Sequence, residues 1–81
     1  MSKDKQLSTL DLHGKKIDEV FDLVDRFLLQ HANKGTKQVR IMSGKGTGAV
    51  QKKLIEYLKL AGYQWKFEGA NTGSLVIFVN D

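Results

Sequence analysis

The chain has 81 residues and a formal net charge of +4, and 41% of its residues are hydrophobic and 27% charged. This length allows one small domain with a single sheet and one layer of helices, and the composition favours a folded chain. The absence of cysteine excludes disulfides, iron–sulfur clusters and thiolate zinc sites, and no apolar run approaches the ~20 residues of a membrane-spanning helix. We therefore expect a cytoplasmic protein with no membrane partner, in which residues 1–6 form a flexible tail and residues 7–81 a single domain.

Basic residues are concentrated in the middle third of the sequence. Residues 34–66 contain eight lysines and arginines against one acid, Glu56, which gives a balance of +7. The segments before and after this block sum to −1 and −2. Such a block is typical either of a solvated surface that keeps a small protein soluble or of a surface that contacts a phosphate backbone.

The spacing of apolar residues, with glycines at the connections, predicts six elements in the order β-α-β-α-β-β. Right-handed crossovers would place both helices on one face of the sheet, with the first two strands parallel and the last two antiparallel neighbours. We therefore predict an α/β two-layer sandwich with a four-stranded mixed sheet. The predicted strands cover residues 7–12, 38–42, 63–68 and 74–79, the helices cover residues 17–32 and 49–61, and a hairpin loop covers residues 69–73.

A glycine-rich segment with the sequence Ser-Gly-Lys-Gly-Thr-Gly connects the second strand to the second helix. Its glycines allow backbone N–H groups to approach an anion, and the N-terminus of the following helix adds a favourable dipole. The spacing is neither that of a P-loop nor that of a dinucleotide-binding fingerprint. A tight turn is the simpler alternative to an anion-binding loop. The candidate anion-binding residues are Ser43, Gly44, Lys45, Gly46, Thr47 and Gly48.

Asp11 and His13 lie at the end of the first strand and, at strand spacing, point to the side opposite Leu12. Together, a carboxylate and an imidazole can perform acid–base chemistry or hold a divalent metal ion such as Mg²⁺ or Mn²⁺. The structural alternative is that Asp11 caps a turn and His13 bonds a loop carbonyl. Elsewhere, we expect Trp65 in the core, with stacking on a base from the open sheet face as the alternative. We expect His31 on the surface without a role.

Two motifs carry a resemblance to a known family. Residues 10–14 read Leu-Asp-Leu-His-Gly, which matches the first motif of the small MutS-related (Smr) domain in full. Residues 43–48 match the second motif, His-Gly-Lys-Gly-Thr-Gly, at five of six positions, with Ser43 in place of its histidine. The match is thinner over residues 71–75, before the last strand. The chain thus resembles the Smr family over residues 7–79.

The resemblance implies a fold like that of the C-terminal domain of translation initiation factor three. It also implies nucleic-acid binding, in many members with endonuclease activity on DNA or RNA, and in some on messages at ribosomes. Asp11 would then position the attacking water or hold a divalent metal, with His13 as acid–base partner and the glycine-rich loop around a phosphate. A monomer is the default expectation. The basic residues expected to track the backbone are Lys15, Lys16, Arg40, Lys52 and Lys53.

The serine at the start of the second motif leaves a second function open. A serine hydroxyl donates a hydrogen bond but does not act as a base near neutral pH, in contrast to the family's histidine. The alternative is therefore a non-catalytic module that docks a larger protein onto nucleic acid or the ribosome. A protein-interaction domain whose basic surface only aids solubility is a third class, and the salt dependence of nucleic-acid binding would separate it from the other two.

Overall fold

The elements follow the predicted order in the computed structural model, which describes residues 7–44, 48–68 and 71–80. The strands form one sheet in the order β1-β2-β4-β3, in which β1 and β2 are parallel and the other neighbouring pairs antiparallel. The predicted two-layer α/β sandwich is confirmed. The elements are β1 (Thr9–Asp11), α1 (Ile17–Lys34), β2 (Gln38–Met42), α2 (Ala49–Ala61), β3 (Gln64–Glu68) and β4 (Asn71–Phe78).

One face of the sheet is covered by both helices. The core combines alternate residues of the strands with one stripe of each helix, as the spacing of apolar residues predicts. Trp65 packs against this core, as predicted, and meets Phe67 edge to face with ring centroids 5.2 Å apart. Within the described parts of the chain, neither helix combines the length and apolar character that a membrane span requires. The fully buried core residues are Leu12, Val20, Val24, Leu28, Val39, Ile41, Leu54, Leu58, Leu75 and Ile77.

The largest difference in boundaries concerns the last strand. The predicted loop over residues 69–73 is wrong at its second half, because β4 begins at Asn71 and Glu68 pairs with it across an irregular register. The N–H of Ser43 donates to the Gly73 carbonyl at 2.8 Å, so this part of β4 is held by the end of β2 as well. Hydrogen bonds to neighbouring strands therefore override the turn composition of Asn-Thr-Gly.

His31 corrects a second expectation, because it is buried rather than on the surface. Its Nδ1 lies 3.0 Å from the Thr36 hydroxyl, and its ring meets Phe27 edge to face. Burial lowers the pKa of His31, and the charge of Lys34 lowers it further. The imidazole therefore helps to close the C-terminal end of α1, where Gly35 adopts a left-handed φ of 79°.

Candidate functional site

The parallel pairing of β1 and β2 brings the two sequence motifs together. Asp11 pairs with Met42 in the register, so that the residues two positions further along, His13 and Gly44, follow side by side. A Cβ atom built on Gly44 would lie 3.8 Å from Cδ2 of His13, which is ordinary van der Waals contact. Gly44 itself has a left-handed φ of 79°, which explains a glycine at this point of the chain. The ends of two neighbouring strands thus form one site.

Asp11 is exposed and has a local structural role. Its Oδ1 accepts a hydrogen bond of 2.9 Å from the backbone N–H of His13, which closes the turn after β1. The turn-capping interpretation is therefore correct for this oxygen. The second oxygen, Oδ2, accepts no hydrogen bond from the described residues.

The N-terminal end of α2 forms the other side of the site. Gly48 precedes the helix with a left-handed φ of 84°, and no side chain caps this end. The first turn carries no acidic residue, so its positive dipole end is not neutralised by its own sequence. Lys52 lies exposed one turn into the helix. This environment is electrostatically suited to an anion. Three predicted anion-binding residues, Lys45, Gly46 and Thr47, lie outside the described residues.

Ser43 faces inward, with only 7% of its surface exposed. Its hydroxyl donates to the Gly73 carbonyl at 3.3 Å and accepts from Nε2 of Gln51 at 3.4 Å. The residue at the position of the motif histidine thus ties the end of β2 to both β4 and α2. Sequence reasoning did not single out Gln51, because a glutamine on a helix carries no signal of a partner eight residues earlier.

Two of the predicted backbone-tracking cations are occupied by internal partners. On the sheet face opposite the helices, Arg40 makes a two-pronged ion pair with Glu68, at 2.8 Å through Nε and 2.5 Å through Nη2. Lys53 lies 3.2 Å from Glu56 and stands over the ring of Phe21 at 5.4 Å. Both residues therefore have acidic partners within the fold, and their contact with a nucleic-acid backbone stays a prediction.

Lys15 and Lys16 are exposed in the segment that leads from His13 into α1. The backbone of Lys16 starts the helix, since its N–H donates to Oε2 of Glu19 at 3.3 Å and its carbonyl accepts from the N–H of Glu19 at 3.0 Å. Neither lysine forms an ion pair with a described residue. The same holds for Lys52, so these three predicted cations are exposed without an acidic partner in the described ranges.

The site has few side chains of the kinds that bind metal ions. Within residues 7–44, 48–68 and 71–80, no group of three or more histidine, aspartate or glutamate side chains comes together. Asp11 and His13 are the two side chains of ligand type at the joined strand ends. Mg²⁺ commonly uses one or two carboxylates and takes its remaining ligands from water and substrate phosphates. The donor set here fits that mode of binding and no closed protein cage.

Comparison with curated proteins finds relatives that share this region. The chain is 42% identical over 60 residues to a protein named endonuclease MutS2 from Symbiobacterium thermophilum, and 33% identical over 70 residues to a protein of the same name from Fusobacterium nucleatum. These matches cover 73% and 84% of this chain but 8% and 9% of the relatives. The chain therefore spans less than a tenth of the length of the curated relatives that it matches.

Solved structures show the same fold. The Smr domain of Thermus thermophilus MutS2 superposes with a TM-score of 0.86 at 24% identity, over 93% of this chain and 100% of that one. The stand-alone small MutS-related protein YdaL from Escherichia coli gives a TM-score of 0.83 at 19% identity, over 95% of this chain and 67% of that one. The model of the Smr domain family matches residues 10–77, which include both motifs. The chain therefore belongs to the Smr domain family.

Proposed function

We propose that this domain binds the phosphate backbone of nucleic acid at the joined ends of β1 and β2 and cleaves it as an endonuclease. The observation that carries the proposal is the position of His13 beside Gly44, where a Cβ atom built on Gly44 would lie 3.8 Å from the imidazole. The Asp11 carboxylate lies on the same turn, and the N-terminus of α2 has no side-chain cap. The name endonuclease, borne by the curated relatives, agrees with this assignment.

Each residue of the site would have a separate role in binding the phosphate and cleaving the phosphodiester. The loop and the first turn of α2 would hold a phosphate through backbone N–H groups, with Lys52 balancing its charge. Asp11 would orient a water molecule through Oδ2, or hold a divalent ion that polarises the phosphate. As the water oxygen bonds to phosphorus and the bridging P–O bond breaks, His13 would take the proton from the water or give one to the leaving oxygen. Imidazole suits either role near neutral pH.

Substitution of Asp11 tests the catalytic assignment. Asparagine retains an oxygen that can accept the N–H of His13, so Asp11→Asn removes the charge and keeps the turn. We expect this variant to retain the salt-sensitive affinity of the wild type for supercoiled plasmid and structured RNA and to lose cleavage in Mg²⁺ or Mn²⁺. Asp11→Ala also loses the turn hydrogen bond, and we expect it to be less stable by about 1 kcal/mol in urea unfolding. Undiminished cleavage by Asp11→Asn would show that the carboxylate has no part in the reaction.

A second candidate function is a docking module without nuclease activity, and the burial of Ser43 favours it. The position that holds the second motif's histidine in the family here carries a hydroxyl engaged in two internal hydrogen bonds. His13 is then the one imidazole of the two motifs. Salt-sensitive binding by the wild type, without cleavage of DNA or RNA under any metal condition, would assign this function instead.

A further inference from the structure

A concave surface of about 400 Å³ lies along α2. Residues 48, 52, 55 and 59 recur at intervals of three and four, so they lie along one face of the helix. The surface begins at Gly48, within the glycine-rich motif, and is therefore continuous with the candidate site. Its described lining residues are Gly48, Gln51, Lys52, Ile55, Glu56 and Lys59.

Positive charge predominates along this surface. Glu56 is paired with Lys53 at 3.2 Å, so its negative charge is compensated locally. Lys52 and Lys59 are both exposed, and neither forms an ion pair with a residue in the described ranges. Among the described residues, the surface therefore presents two positive charges without an acidic partner, with the apolar side chain of Ile55 between them.

The distance between these lysines suits a chain of phosphates. Seven residues correspond to about two helical turns, or ~10 Å along the axis at a rise of 1.5 Å per residue. One strand of a duplex advances ~3.4 Å along the duplex axis per nucleotide, so the same length covers about three nucleotides where α2 lies parallel to that axis. Two lysines at this separation can neutralise phosphates on the same strand in that orientation.

We propose that one nucleic-acid strand leaves the joined ends of β1 and β2 and follows α2, with Lys59 as a second, distal phosphate contact. This inference rests on the proposed function and adds the direction and the length of the bound strand. It assigns a role to Lys59, and it places the path along Lys52 and Lys59, since Arg40 and Lys53 are held by Glu68 and Glu56.

Charge neutralisation with a matched control tests the path. We would measure the affinity of Lys52→Gln, Lys59→Gln and Lys37→Gln for a fluorescently labelled DNA duplex and for a single strand over a range of salt concentrations. Lys37 is exposed and precedes β2, at the end of the sheet opposite the site. Each lost phosphate contact should reduce the log–log salt slope by ~0.9 on duplex DNA or ~0.7 on a single strand.

The possible outcomes distinguish a failure of the path along α2 from a failure of the proposed nucleic-acid binding. We expect Lys52→Gln and Lys59→Gln each to reduce the slope by about one contact, and Lys37→Gln to leave it at the wild-type value. A slope for Lys59→Gln equal to that of Lys37→Gln, with a reduced slope for Lys52→Gln, would refute the path and leave the phosphate site intact. A wild type whose binding does not weaken with salt would overturn the proposed function itself. Equal thermal unfolding of all variants checks that the fold is retained.

Discussion

At the scale of single residues, the sequence suggests alternative roles for a side chain, and the distances in the structure show which partner it has. The Asp11-x-His13 spacing predicts both a turn cap and a catalytic pair, and the structure assigns the cap to one carboxylate oxygen only. Arg40 illustrates the opposite case, in which a basic residue expected to track a backbone is held by Glu68, 28 residues later in the chain. No pattern in the sequence around Arg40 predicts an ion-pair partner 28 residues away.

His31 gives a residue-scale prediction about pH. Its pKa is lowered in the folded state, so over the interval below the ordinary value of 6.5 the unfolded chain binds more protons than the folded chain. The free energy of unfolding should therefore fall as the pH drops through this interval, and level off below the folded-state pKa. Urea unfolding as a function of pH measures this effect.

The control for this prediction is His31→Gln, which removes the titrating group and retains a side chain able to bond the Thr36 hydroxyl. We expect the variant to show a smaller loss of stability than the wild type between neutral and mildly acidic pH. Identical pH profiles for the two proteins would mean that burial of the imidazole does not govern this dependence.

At the scale of elements, the two ends of α2 differ in how they are capped. Its first turn faces the candidate site without a cap or an acidic residue, whereas its last turn is closed by Gly62, whose N–H donates to the Lys59 carbonyl at 3.3 Å. The bounds of α2 were predicted to the residue, because a glycine flanks each end. The start of β4 was not, since its pairing with Glu68 of β3 and the hydrogen bond from Ser43 to Gly73 outweigh the turn character of its residues.

The C-terminal closure of α2 gives a prediction of its own. Gly62 has a φ of 82°, and a Cβ atom built on it would meet nothing within 4 Å, so the cost of a side chain is conformational alone. We expect Gly62→Ala to destabilise the fold by about 1 kcal/mol, and Gly62→Asn to cost less because asparagine tolerates the left-handed region. Chemical unfolding of both variants would measure the difference. Equal stability of wild type and Gly62→Ala would contradict this explanation.

At the scale of the whole molecule, the basic block of the sequence does not form one patch. Its members in the described ranges divide between the α2 surface, the sheet face opposite the helices, and the end of the sheet opposite the site. The order of elements followed from periodicity and glycine positions, and the family followed from two motifs. The sheet order β1-β2-β4-β3 and the division of the charges could not be predicted, because both depend on how distant segments pair.

Two of these regions, the sheet face opposite the helices and the α2 surface, are alternative binding faces for nucleic acid. On the sheet face opposite the helices, Lys66 stands over the ring of Phe78 at 6.0 Å, and Arg40 is held by Glu68. On the other side of the fold, Lys52 extends from α2 near the joined strand ends. The central claim of this account is that nucleic acid binds at the strand ends and along α2, and not on the opposite sheet face.

Titration of the isotope-labelled protein with an unlabelled DNA duplex or RNA hairpin, followed by NMR at low salt, tests this claim most directly. We expect the largest shifts at the backbone resonances of Gly44, Gly48 and Lys52 and at the imidazole of His13, and their reversal as salt is added. Shifts confined to the sheet face around Arg40 and Phe78, with the resonances of His13 and Gly44 unmoved, would contradict the account.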